Sequence, residues 1–211
     1  MNEQRVTFPG GKFSLEGVIS TPDGAGTFPA VMVCHPHPLY GGSMENNVVI
    51  SLCHALARAS FIAFRFNFRG VGRSEGEFSG GSGEQADAEA AIAFLATANQ
   101  VDAKRLGVAG YSAGAVFALP AGATDARIKS MAAISPPFSM SDFGFLRDCP
   151  KPKLIIAGSE DDFAPAGRLI ALYESCRNPK EYAVIEGSDH FWRGYEPDLN
   201  EKVCDFFART L

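Results

Sequence analysis

The sequence lacks any excess of positive charge. Its 19 Lys and Arg against 24 Asp and Glu leave a net charge of −5, with no basic block anywhere. Binding to nucleic acid through phosphate neutralisation is thereby disfavoured. Long apolar runs are missing too: none approaches the roughly 20 residues that span a bilayer. The start, Met1-Asn-Glu-Gln-Arg-Val, is polar and has no apolar segment of the signal-peptide kind. Cysteine is sparse, with five residues at 34, 53, 149, 176 and 204, no C-x-x-C pair among them, and no N-x-Ser/Thr sequon occurs. The expectation is a cytoplasmic, reduced chain with no membrane partner. Cys34, Cys53 and Cys204 lie in apolar stretches and read as buried free thiols.

What is present is the composition of a folded enzyme-sized domain. The chain has 211 residues, 46% hydrophobic, 20% charged and 11% aromatic, enough for one full core and too apolar for wholesale disorder. No linker, repeat or low-complexity stretch divides it, so residues 1–211 are expected to form a single domain. The 22 glycines and 13 prolines suggest many tight turns between short elements.

From about residue 29 onward, short apolar runs alternate with longer stretches of helical period. The runs are Ala30–Cys34, Phe61–Phe68, Leu106–Ala109, Met131–Ile134, Leu154–Ala157 and Tyr182–Ile185, bounded by Gly or Pro and read as mostly buried strands. Helices are expected near Asn46–Arg58, Ser82–Ala98, Ala113–Ala123, Ala164–Cys176 and Pro197–Ala208. Val6–Phe8 and Phe13–Ile19 alternate in polarity and read as an antiparallel N-terminal hairpin. Strand and helix in alternation imply an α/β fold: a mostly parallel twisted sheet with helices on both faces.

The sharpest motif is Gly110-Tyr111-Ser112-Ala113-Gly114, directly after a strand and directly before a helix. A nucleophilic serine at such a turn sits in a strained conformation, and its neighbours two residues away must be small because strand and helix nearly touch. A serine nucleophile needs a base, and the base an orienting acid. Of the four histidines, 35, 37, 54 and 190, His190 follows the last strand in Gly187-Ser-Asp-His190. The stretch Leu154-Ile-Ile-Ala-Gly158-Ser-Glu-Asp161-Asp162 offers an acid past another strand. Ser112, Asp161 or Asp162, and His190 thus follow in serine–acid–histidine order. Acyl transfer also needs N–H donors for the developing oxyanion. The amide of Ala113 is one candidate. In the loop Cys34-His35-Pro36-His37-Pro38-Leu39-Tyr40 the prolines have no N–H, which leaves His37 first and Leu39 second.

Other readings fare worse. Gly70-Val-Gly72-Arg-Ser-Glu-Gly76 has its third glycine off register for a dinucleotide loop, and the next helix starts too late to hold a pyrophosphate. His35-x-His37 has metal-pair spacing but no third and fourth ligands nearby, so neither a metal nor any other cofactor is expected. Arg69 and Ser74 read as loop-shaping hydrogen bonders, and His54 as a packing residue on a helix. Leu39, Tyr40, Tyr111, Phe138, Met140, Phe143, Phe191 and Trp192 are candidates to line a substrate pocket.

These motifs resemble α/β-hydrolase-fold serine hydrolases, and in particular the small, lid-less branch near dienelactone hydrolases and short-chain carboxylesterases. The similarity runs from about residue 29 to the C-terminus. It is carried by the loop at 35–42, Asn67-Phe-Arg69-Gly70-Val-Gly72-Arg-Ser74-Glu-Gly76, the turn at 110–114, G-x-x-D-x-x-x-P at 158–165, and His190. The resemblance selects Asp161 over Asp162 as the acid. It implies a Ser112–His190–Asp161 triad cleaving small carboxylic esters through an acyl-enzyme, with thioesters, amides or lactones as alternatives. Ser112 stands where relatives with dienelactone hydrolase activity commonly carry cysteine, Asn67 where many have Asp, and Pro36 where a Gly is common. About twenty residues separate the strands ending at Ile134 and starting at Leu154. That is room for a small flap (Phe138–Leu146) and not for a lid, so small, water-soluble esters are the expected partners. A non-catalytic binding module on the same fold is the rival reading; it has no need of a strained serine.

Overall fold

The computed structural model describes residues 1–211. Eight strands make one sheet in the order β1-β2-β4-β3-β5-β6-β7-β8. They are β1 (Asn2–Gly10), β2 (Phe13–Thr21), β3 (Phe28–Cys34), β4 (Ile62–Phe66), β5 (Val101–Tyr111), β6 (Ile128–Ile134), β7 (Lys153–Gly158) and β8 (Lys180–Ile185). β1, β2 and β4 pair antiparallel, and every pairing from β4 through β3 to β8 is parallel. Five helices connect them: α1 (Asn47–Arg58), α2 (Ser82–Leu95), α3 (Ala113–Thr124), α4 (Ala166–Ser175) and α5 (Glu196–Thr210).

The period-2 geometry of a strand sends alternate side chains to opposite faces. In β3, Ala30, Met32 and Cys34 join one apolar cluster with α2, α3 and α4, while Val31 and Val33 join a second with α1 and α5. Both faces of the central strands are therefore covered, which is why these strands read as unbroken apolar runs. α3 is built mostly of Ala and Gly, which lets it lie close against β5 and β6. No helix is long and apolar enough to cross a membrane.

Four expectations need correction. The first hairpin is much longer than Val6–Phe8 and Phe13–Ile19, because polar, exposed Asn2–Arg5 still pairs with β2 along the full ladder. His54 is not a packing residue: it is partly exposed on α1, with Nε2 3.1 Å from a Glu3 carboxylate oxygen. The segment 138–146 is not a flap, since Phe138, Phe143 and Leu146 are buried in the core. Cys204 is half-buried, whereas the other four thiols are buried.

Candidate active site

Three connections at the carboxyl ends of parallel strands converge on Ser112. The first is the turn from β5 into α3, where Ser112 has φ 54° and ψ −125°. That left-handed backbone is strained for a non-glycine residue and aims the side chain outward. The turn is tight enough that a Cβ on Gly110 would lie 2.5 Å from the Ala115 Cα. On Gly114 it would lie 2.5 Å from the Cys34 carbonyl oxygen and 2.6 Å from that of His35. Both motif glycines are thus demanded by close backbone approach.

The second is the loop after β7, bound to the third, the loop after β8, by backbone hydrogen bonds from Ser159 N–H to Ile185 C=O and from Glu160 N–H to Ser188 C=O. Asp161 is 2% exposed and accepts the N–H groups of Phe163 and Ala164. Its carboxylate oxygens lie 2.9 and 3.0 Å from His190 Nδ1, and His190 Nε2 lies 2.9 Å from Ser112 Oγ. Burial pushes the Asp161 carboxyl up, but hydrogen bonding and attraction to His190, the Ser135 hydroxyl and the Ala164 amide together hold it below its ordinary value. An ionised Asp161 places the imidazole proton on Nδ1, which leaves Nε2 to accept from the serine hydroxyl. Asp162 points to solvent and makes no such contact.

Neighbouring side chains hold the histidine loop. The Tyr111 hydroxyl donates to the His190 carbonyl (2.7 Å), and Trp192 Nε1–H donates to Ser135 Oγ (2.9 Å). Phe163 lies against the imidazole with ring centroids 4.6 Å apart, and Phe191 meets it edge-on at 5.7 Å.

The loop after β3 forms the other wall. His35 is fully buried, and burial pushes its pKa down to about 4. Its Nε2 accepts the Phe68 N–H, so Nδ1–H donates to the Pro36 carbonyl. Both ring nitrogens are therefore engaged, and His35-x-His37 is not a ligand pair. Asn67, where relatives often carry Asp, accepts the Met44 N–H and donates to Glu16, tying this loop to β2. Arg69 grips Asp87, and the Ser74 hydroxyl donates to the Asn67 carbonyl. The glycine-rich loop is thus filled by the protein's own side chains.

Backbone donors in this wall sort clearly. The Leu39 N–H is taken by His37 Nδ1, and those of Tyr40, Gly41 and Gly42 by the carbonyls of His37 and Pro38. The His37 N–H has no acceptor in the protein. Ala113, as first residue of α3, has no intrahelical acceptor for its own N–H.

A cavity of about 500 Å³ opens over Ser112 and His190. Of the candidate pocket residues, Tyr40, Tyr111, Met140 and Phe191 lie in its lining. Leu39 and Phe138 do not: Leu39 sits on a 3-10 turn and points into solvent, and Phe138 is buried in the core with Phe143. Trp192 is likewise fully buried. Asn46, Ser139 and Phe163 line the cavity without having stood out in the sequence. Phe163 follows the acid by two residues, a position that puts it beside whatever the acid holds; Asn46 is disguised as the cap of α1.

The chain is similar to known proteins. The chain is 36% identical over 186 residues to an uncharacterized protein of Rickettsia prowazekii, covering 84% of this chain and 78% of that one. An alpha-beta serine hydrolase homologue from Coxiella burnetii superposes with a TM-score of 0.86 at 31% identity, covering 97% of both chains. A Xanthomonas campestris protein described as an a/b serine hydrolase without lid gives 0.83 at 28% identity, over 99% of this chain and 95% of that one. The sheet, its antiparallel start and the uncovered site are those of an α/β-hydrolase-fold hydrolase. A family model described as PET hydrolase-like matches residues 81–207, more than half the chain, and the chain belongs to that family.

Proposed function

We propose that the chain is a serine hydrolase of small carboxylic esters, acting through an acyl-enzyme, with Ser112 as nucleophile, His190 as base and Asp161 as the orienting acid. The observation that carries this reading is the continuous chain of contacts from the Asp161 carboxylate through His190 to Ser112 Oγ, with 2.9 Å at each link. Membership of a family named for an ester-cleaving activity supports it.

In the first half-reaction, Ser112 Oγ attacks the ester carbonyl while its proton passes to His190 Nε2. The resulting imidazolium is stabilised by Asp161. Negative charge on the carbonyl oxygen is met by the N–H groups of Ala113 and His37, both without protein acceptors. The tetrahedral intermediate collapses as His190 returns the proton to the leaving alkoxide, which departs as the alcohol. Water, deprotonated by His190, then attacks the acyl-enzyme, and the carboxylic acid leaves with Ser112 restored.

The uncovered cavity favours small, water-soluble substrates over long-chain lipids, and residues 1–211 act as one domain in a reduced cytoplasm without cofactor. A p-nitrophenyl ester series from acetate to dodecanoate tests the reading. Highest kcat/KM on the short acyl chains is expected; a preference for the longest chains would overturn it.

A further inference from the structure

The cavity is two-sided in a way that bears on which esters it takes. One wall, Met140, Phe163 and Phe191, is apolar and partly exposed. The chain segment 36–46 also lines the cavity and, besides Tyr40, contributes His37 and Asn46, two polar side chains whose orientation is set by hydrogen bonds from the backbone. Asn46 Oδ1 accepts the Val48 N–H at 3.0 Å, so its carboxamide NH₂ is turned the other way and has no partner in the protein. His37 Nδ1 accepts the Leu39 N–H at 3.2 Å, so the ring proton sits on Nε2, also without a partner. Burial holds the His37 ring below its ordinary pKa despite Glu84 nearby, which keeps it neutral and a donor through that one N–H.

Equally informative is what the lining omits. None of the residues lining the cavity is Lys, Arg, Asp or Glu. An anionic substituent brought in beside Ser112 would lose hydration without gaining a counter-ion, and would face the ionised Asp161 behind His190. A neutral oxygen acceptor meets the unused donors of Asn46 and His37 at no such cost.

We propose that Asn46 and His37 form a specificity wall for uncharged esters carrying a second oxygen acceptor, such as a keto, ether or hydroxyl group, beyond the scissile carbonyl, and that the site rejects esters carrying a free carboxylate. The inference rests on the ester-hydrolase reading and deepens it.

Three p-nitrophenyl esters of matched shape test it: the 4-oxopentanoate, with a neutral acceptor; the 4-methylpentanoate, with a methyl in its place; and the hemisuccinate, with a carboxylate. The acetate reports basal turnover. With uncatalysed hydrolysis subtracted, kcat/KM should run 4-oxopentanoate, then 4-methylpentanoate, then hemisuccinate. The first step should be about two- to tenfold, the worth of one neutral hydrogen bond, and the hemisuccinate at least tenfold below the keto ester. Asn46→Asp and Asn46→Ser both retain a side chain able to cap α1. Asp removes the donor, and Ser draws it back from the cavity without adding charge. Both should bring the keto-to-methyl ratio down toward one. Hemisuccinate as the best substrate, or a keto-to-methyl ratio unchanged by both variants, would overturn the proposal while leaving the esterase reading intact. Turnover of the acetate but of none of the three would also overturn it. Failure with the acetate as well would sink the esterase reading.

Discussion

The close approach of the serine turn to the end of β3 makes Gly114→Ala the most informative substitution in the molecule. A Cβ at 114 would stand 2.5 Å from the Cys34 carbonyl oxygen, 2.6 Å from that of His35 and 2.8 Å from the Cys34 carbonyl carbon, all of them backbone atoms. Nothing at this contact is the end of a flexible side chain, so the two segments must part. Restoring an ordinary contact of 3.4 Å requires about 0.9 Å of separation. The same two segments carry the amides of Ala113 and His37, so the parting opens the pair of donors proposed to meet the oxyanion. Misplacing catalytic groups by about 1 Å costs on the order of 10²-fold in rate, and overpacking a tight site about 1–3 kcal/mol in stability. Gly114→Ala should therefore lose about 10²-fold in kcat/KM on p-nitrophenyl acetate. Its Tm should fall by roughly 2–12 °C, at about 2–4 °C per kcal/mol for a chain of this size. Gly167→Ala is the matched control. It lies in α4 with nothing within 4 Å of the added carbon, and should raise stability by up to about 1 kcal/mol with activity unchanged. Circular dichroism melts and initial rates on the two variants suffice. A Gly114→Ala protein with wild-type Tm and kcat/KM within threefold of wild type would refute the argument.

Two further substitutions bear on other parts of the account. Asp161→Asn should lower kcat by about 10³–10⁴-fold, because an amide no longer holds the imidazole in the required tautomer. Asp162→Asn should change it less than about twofold; the reverse order would reassign the acid. Glu3 is held at a pKa of about 2, from an ordinary 4.5, chiefly by its hydrogen bond from Arg65 at 2.8 Å, against the opposing pull of burial. A carboxyl lowered in the folded state adds stability that is present above its unfolded value and lost as pH falls through the folded one. The Glu3 side chain is 37% exposed, and screening by water leaves about 1 kcal/mol of the effect. Urea midpoints should thus put Glu3→Gln about 1 kcal/mol below wild type at pH 6, with the gap closing between pH 4.5 and about 2. A gap that persists at pH 2 would contradict this origin.

The centre of each buried strand was legible because a strand covered on both faces must be apolar at every position; the ends were not. Asn2–Arg5 carries no apolar signal and is held extended by ladder bonds to β2. β5 runs back to Val101 because that residue pairs with Phe28 across an irregularity in the ladder, a register set by neither segment alone. At the site, serine, acid and histidine could be ordered along the chain because each follows a strand whose carboxyl end faces the same crevice. The choice between Asp161 and Asp162 depends on which of two adjacent carboxylates turns inward, and adjacent residues in a loop carry no periodicity to decide it. Pocket residues were the least legible. Leu39 is apolar yet thrust outward by the turn that Pro38 begins and Gly41 closes. Phe138 and Trp192 are aromatic yet spent on the core. Asn46 looks like a helix cap and is one; only the backbone bond that occupies its oxygen reveals the amide left over for the cavity.

The central claim is that Ser112 is the nucleophile of an ester hydrolase, and hydrolysis of short p-nitrophenyl esters by wild type and by Ser112→Ala, alongside labelling with a fluorophosphonate probe, tests it most directly. The account predicts turnover and stoichiometric labelling of the wild type at Ser112. In a Ser112→Ala protein with an unchanged melting curve, labelling should be lost and activity should fall by several orders of magnitude. Equal ester turnover by the two proteins, or a folded wild type that neither cleaves any ester nor takes the label, would contradict it.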